Sequence, residues 1–222
     1  TFDWYGFVTN ENMHTQNHNI SLQQRTQNSG YFVSIGYTDQ AGYMLNEDFT
    51  RWNARINLDN DITSWLNIGL QSFMTLSDYS GQSLPTSNIY SFHWYAPAYT
   101  PEGNLEENPD GLNINPLYVF DADDIDKRLN LFGNIYANVK IPFVKGLSFK
   151  TNFSTNYRTV SKYYYRPYEN NFLGAGSKTE TIGTDWSNDN ILSYKNTFNS
   201  IHRVDVTLVY GLEKRNSLYT QA

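Results

Sequence analysis

Hydrophobic and polar residues alternate with a period of two along much of this chain, the mark of strands with two chemically different faces. In 51–58, Trp52, Ala54, Ile56 and Leu58 fall on one face and Arg51, Asn53, Arg55 and Asn57 on the other. In 66–76, Leu66, Ile68, Leu70, Met74 and Leu76 oppose Asn67, Gln71 and Thr75. The same pattern runs through 129–141 (Leu129, Leu131, Ile135, Ala137, Val139, Ile141), 147–157 (Leu147, Phe149, Phe153, Tyr157) and 204–212 (Val204, Val206, Leu208, Tyr210, Leu212). Weaker runs at 19–24, 31–37 and 189–196 bring the expected number of strands to eight. The apolar faces of these runs carry no charge. The opposite faces carry Arg51, Arg55, Asp59, Lys140, Lys150, Arg158, Asp189, Lys195, Arg203, Asp205 and Glu213.

The connections sort by length. Short turns are expected at 26–29, 60–63, 142–146 and 198–200, and long loops at 39–48, 77–127 and 159–185. Short turns on one side and long loops on the other are the pattern of an outer-membrane β-barrel. Runs of about ten residues also suit a tilted strand crossing a bilayer, whereas soluble strands average five or six. The expected fold is all-β: an antiparallel transmembrane β-barrel meander. The competing readings are a soluble glycan-binding β-sandwich, with shorter strands and non-sequential strand order, and a complete small eight-stranded outer-membrane barrel.

Composition narrows the function. The chain of 222 residues has no cysteine, which excludes a disulfide scaffold, a thiol nucleophile and a cysteine-ligated metal. A net charge of −6 without a basic run leaves no electrostatic footprint for nucleic acid. Mean hydropathy is −0.59 and no apolar stretch of 18 residues occurs, which excludes a membrane helix but not alternating membrane strands. Aromatics make up 16%, which favours strands.

No hydrolase, zincin or phosphate-loop motif occurs, so no enzyme, cofactor or metal is expected. His14, His18, His93 and His202 are scattered. Asp121, Asp123, Asp124 and Asp126 lack the glycine and distal Glu of a calcium loop; a solvated loop face accounts for them. Arg51, Arg55, Lys140 and Lys150 are expected to face a lumen, either guiding an anionic solute or pairing with carboxylates of a plug or of neighbouring strands. The long loop holds Tyr90, Phe92, Trp94, Tyr95 and Tyr99, and the region 159–185 holds Tyr163, Tyr164, Tyr165 and Tyr168. Exposed rings of this kind stack on sugars, anchor partners or pack a loop on itself. The candidate substrate or partner contacts are Trp94, Tyr95, Tyr99, Tyr164 and Tyr165. The acidic stretch 102–126 is expected to stay solvated.

Specific motifs point further. Gln16-Asn17-His18-Asn19-Ile20-Ser21 is followed by Gly30-Tyr31-Phe32-Val33-Ser34-Ile35-Gly36-Tyr37-Thr38-Asp39-Gln40-Ala41-Gly42, then Phe49-Thr50-Arg51-Trp52-Asn53-Ala54-Arg55-Ile56-Asn57-Leu58-Asp59. Downstream come Pro97-Ala98-Tyr99, Asn115-Pro116-Leu117, Phe132-Gly133-Asn134-Ile135-Tyr136-Ala137 and Lys145-Gly146-Leu147-Ser148-Phe149-Lys150-Thr151. This ordered series resembles the start of the barrel in SusC/RagA-type TonB-dependent transporters of Bacteroidetes. Ala41 stands where that family usually has Glu, and Gln23-Gln24-Arg25 replaces a Gly-Gly turn.

The resemblance implies that 1–222 is the N-terminal part of a barrel of about 22 strands, with the plug, the TonB-contacting box and further strands outside the chain. It also implies an outer-membrane importer of oligosaccharides or peptides, working beneath a SusD-like surface lipoprotein and energised through TonB. The loops would meet lid and substrate.

Overall fold

The computed structural model describes residues 3–81, 89, 92–93, 95–167 and 174–222. A short helix, α1 (Trp4–Val8), precedes eight strands: β1 (His14–Arg25), β2 (Ser29–Ala41), β3 (Asp48–Asp61), β4 (Leu66–Asp78), β5 (Asp123–Lys140), β6 (Leu147–Arg166), β7 (Ala175–Phe198) and β8 (His202–Gln221). They form one antiparallel sheet in sequential order. A single sheet in sequence order is not a sandwich. The sheet does not close either: β1 and β8 do not pair with each other, so this is not a complete eight-stranded barrel.

The weak runs become full strands. The run at 31–37 extends to thirteen residues and that at 189–196 to twenty-four. Short turns lie at one end, at 26–28, 62–65, 141–146 and 199–201, and the longer connections at the other. One turn demands a glycine. Gly146 has φ +85°, and a Cβ there would sit 2.0 Å from the Lys195 carbonyl oxygen, while its own carbonyl accepts from the Lys195 N–H at 2.8 Å.

One expected loop is corrected. Most of 159–185 is strand: β6 runs to Arg166 and β7 starts at Ala175. The run Tyr163-Tyr164-Tyr165 has high strand propensity and pairs with Lys178, Ser177 and Gly176. The loop 77–127 is trimmed in the same way, because Asp123–Asp126 pair with Tyr165–Lys162.

Register aligns the faces. Ile20, Ile35, Ala54, Met74, Leu131 and Tyr157 lie in one cross-strand row, continued by Thr184 and Asn216. Large apolar side chains stay exposed along this face, including Ile35 at 50%, Ile135 at 56% and Leu208 at 63%. A sheet face that exposes such residues wants an apolar medium.

The register also gives a tilt. Asn17, Thr38, Arg51, Ser77, Arg128, Val160, Thr181 and Tyr219 form another row. Below it, β1 continues for eight residues to Arg25, β3 for ten to Asp61, β5 for twelve to Lys140 and β7 for seventeen to Phe198. From the first turn to the last, the strand ends drop by about nine residues. That is about 30 Å along the strands, against about 29 Å across six strand spacings. If the turns share one plane, the strands lean about 45° to its normal, the inclination of barrel strands.

The buried core of the described residues lies outside the sheet. Trp4, Val8, Met44, Ile89, Phe92, Ala98, Leu117 and Val119 pack together, drawing on α1, the connection 42–47 and the connection 79–122. The Trp4 indole N–H donates to the Ala96 carbonyl at 3.2 Å, and its ring lies 4.7 Å from that of Phe92. Asn115 is 1% exposed. Its amide donates to the Ala98 and Glu106 carbonyls, and its side-chain oxygen caps a 3-10 helix, Pro116–Asp121, by accepting from the Leu117 N–H.

Candidate functional site

Two regions carry the candidate chemistry: the polar face of the sheet and the cap built on the 79–122 connection. Arg51 and Arg55 on β3, Lys140 on β5 and Lys150 on β6 all fall on the polar face. Arg51 lies opposite Thr38, Arg55 opposite Ser34, Lys140 opposite Ser148 and Lys150 opposite Asn138. Arg51 donates to the Thr38 hydroxyl at 3.5 Å and sits 5.9 Å from the Phe49 ring. Lys150 lies 5.3 Å from the Tyr136 ring. Among the described residues none of the four forms an ion pair, so the neighbouring strands do not supply the carboxylates that the sequence made candidates.

Around Tyr136 the polar face is tightly organised. Its ring lies over Gly69 on β4, where a Cβ would come within 2.2 Å of the ring. Its hydroxyl donates to Asp59 at 2.5 Å, and Asn67 donates to Asp61 at 2.9 Å. The glycine removes the side chain that would displace the ring, and the ring covers the bare backbone.

A cleft of about 510 Å³ opens across β5–β8. Its lining includes Phe132, Asn156, Asp185, Asp189, Glu213 and Arg215. Arg158 holds Asp185 at 2.6 Å, and Arg215 holds Glu213 at 2.5 Å. Its charges are thus largely paired.

In the cap, Tyr95 is 63% exposed and stacks on His93 at 5.0 Å. Tyr99 is 38% exposed, meets Phe7 edge-on at 6.0 Å, and bridges to Leu105. Trp94 lies outside the described residues, as do Tyr90 and Tyr168. Tyr164 and Tyr165 are neighbours on a strand and therefore point to opposite faces: Tyr164 shares the polar face with Lys162, and Tyr165 the outer one with Tyr163. The structure therefore does not bring Tyr95, Tyr99, Tyr164 and Tyr165, the four described candidates, into one cluster.

The acidic stretch is only partly solvated. Asp126 is held by Arg128 at 2.7 Å and Lys162 at 3.2 Å, with 15% of its side chain exposed. Asp110 is the solvated case. Hydrogen bonds from the Asn113 side chain and from the Asn113 and Leu112 amides pull its carboxyl down to about 2. Among the described residues no three His, Cys, Asp or Glu side chains come together as a metal site.

Sequence reasoning missed the part played by α1. Trp4 and Val8 bury themselves under the loop, and five residues show too little periodicity to announce it. Tyr5 and Phe7 flank the buried side, partially exposed beside Tyr43 and Tyr99.

Fold and faces together define a stretch of a transmembrane β-barrel wall. No family profile matches the chain. Two curated relatives from Formosa agariphila do. TonB-dependent receptor P3 is 26% identical over 96% of this chain and 22% of its own length. TonB-dependent receptor P39 is 23% identical over 88% of this chain and 19% of its own. The chain thus spans about a fifth of these relatives. Two solved structures share its fold over 99% of its length: the RagAB peptide importer in the open-open state (TM-score 0.70, 26% of that chain) and the RagAB peptide transporter (TM-score 0.71, 27% of that chain), each at 17% identity. These matches bear out the resemblance read from the motifs, to a stretch of the barrel of SusC/RagA-type TonB-dependent transporters.

Proposed function

We propose that this chain forms part of the barrel wall of an outer-membrane importer of oligosaccharides or peptides. The importer acts with a SusD-like surface lipoprotein and draws on TonB through a plug. The observation that carries this reading is the exposed, mainly apolar face on an eight-strand meander inclined about 45°. The names of the curated relatives, both TonB-dependent receptors, support the energy source. The peptide importer among the structural neighbours supports a solute of oligomeric size. No covalent chemistry is required of this wall.

In this reading Arg51, Arg55, Lys140 and Lys150 face the lumen, where their unpaired charge attracts anionic groups of a plug or solute. The cap presents Tyr95 and Tyr99 to lid or substrate, and Tyr164 lines the inner wall above the membrane. Deleting the loop is a poor test, because it would strip the cover from Trp4, Val8 and Met44. Replacing Tyr95 and Tyr99 with Ala leaves that core intact. In the full-length protein the double variant should reach the outer membrane at wild-type level. Solute uptake or lipoprotein retention should fall about tenfold or more, the effect of losing aromatic anchors. Unchanged uptake and unchanged lipoprotein retention would remove the cap from the mechanism.

A further inference from the structure

The strand tilt makes depth in the membrane differ along a single cross-strand row. At about 2.3 Å of height per residue, the product of strand rise and a 45° tilt, Ile35 lies about 14 Å above the turn end of its strand, six residues from Ser29. Asn216, in the same row, lies about 33 Å above, fourteen residues from His202. An apolar barrel band is about 25 Å tall. The row therefore runs inside the band from β1 to β6 and is above it on β7 and β8, where Thr184 and Asn216 each lie fourteen residues from the turn, and its chemistry follows: Ile20, Ile35, Ala54, Met74, Leu131 and Tyr157 give way to Thr184 and Asn216.

At the crossing sits one cation, Lys214, on the edge strand β8. The next row reads Leu22, Val33, Ile56, Ser72, Gly133, Thr155, Trp186 and Lys214. Trp186 and Lys214 are directly opposite and each lies twelve residues above its turn, a height of about 28 Å. Trp186 stacks on Phe153 at 6.3 Å. Asn188 and Asn190, just below, are linked by a 2.7 Å hydrogen bond. Lys214 is exposed and is the one charged residue on this face between Ile182 and Asn196 of β7 and between Val204 and Leu218 of β8. The nearest acid above it on β7, Glu180, is already held by Lys178 and Tyr163. On this outer face Lys127 and Lys178 have carboxylate partners, Asp78 and Glu180; Lys214 forms no ion pair among the described residues.

We infer that Trp186, Lys214 and Asn216 form a docking patch for a phosphate-bearing lipid headgroup of the outer leaflet. The indole marks the headgroup level, the ammonium meets the phosphate, and the Asn216 amide supplies hydrogen bonds where hydrocarbon gives way to polar groups. This rests on the membrane-wall reading above.

The test uses the full-length protein in detergent. Lipid A carrying both phosphates, or its dephosphorylated form, is titrated in and bound lipid is counted by native mass spectrometry. Wild type should retain the phosphorylated lipid preferentially. Lys214→Ala should weaken that binding about fivefold, the value of one basic residue near an anionic surface, and leave the dephosphorylated form unchanged. Asn216→Asp, which keeps Lys214 and adds a negative charge beside it, should weaken it as well. No phosphate preference in wild type, or wild-type binding by both variants, overturns the inference. A cysteine at Ile35 that a membrane-confined reagent fails to label would instead overturn the membrane-wall reading, so the two failures are separable.

Discussion

Asn115 is the side chain on which the cap depends most. It is buried, it satisfies two carbonyls seventeen and nine residues back along the chain, and it caps the 3-10 helix that carries Leu117 and Val119 into the core. Asn115→Ala removes the side-chain partner of the Glu106 carbonyl and of the Leu117 N–H at a cost of about 1–3 kcal/mol each, while the Ala98 carbonyl keeps the Glu106 N–H at 2.9 Å. The cap should loosen while the sheet persists. Hydrogen exchange should rise at the Leu117 amide and the cap backbone, with strand amides unchanged; equal protection in variant and wild type would show that the cap is held by its apolar core alone. This role was half legible in advance. Asn115-Pro116-Leu117 stood out as a motif, but its partners Ala98 and Glu106 are set by the path of a long loop, which no periodicity encodes.

At the level of elements, the strands were legible where one face is apolar and the other polar, as in 51–58 and 129–141. They were less legible where tilt lifts a strand out of the membrane. The outer face of β7 reads Thr184, Trp186, Asn188 and Asn190, which hides the alternation, so its first part, 175–185, reads as loop and only 189–196 as strand. The tilt can be tested within one row. Ile35→Arg puts a charge near the middle of the band and should destabilise the protein in bilayers by about 2–4 kcal/mol, whereas Asn216→Arg, in the same row but above the band, should cost about 0–1 kcal/mol. Denaturant midpoints in lipid vesicles read both. Equal costs would mean that rows run level with the membrane and that the strands are not inclined as the turns indicate.

For the molecule as a whole, the proposed reading gives the two faces of the sheet different surroundings: lipid against Ala54, Ile56 and Leu58, and an aqueous lumen against Asn53, Arg55 and Asn57. The motifs anticipated this architecture, and the fold carries it through all eight strands in sequence order. Among the described residues the four polar-face cations form no ion pair with the sheet, where Asp185 pairs with Arg158 and Asp126 with Arg128 and Lys162. The most direct test is single-cysteine labelling along β3 in the full-length protein in native outer membranes, on a background without accessible thiols. Cysteines at 54, 56 and 58 should react with a membrane-confined maleimide, and those at 53, 55 and 57 with a water-soluble one. Reversed labelling, or water-soluble labelling at all six positions, would contradict the assignment of this sheet as a membrane-barrel wall.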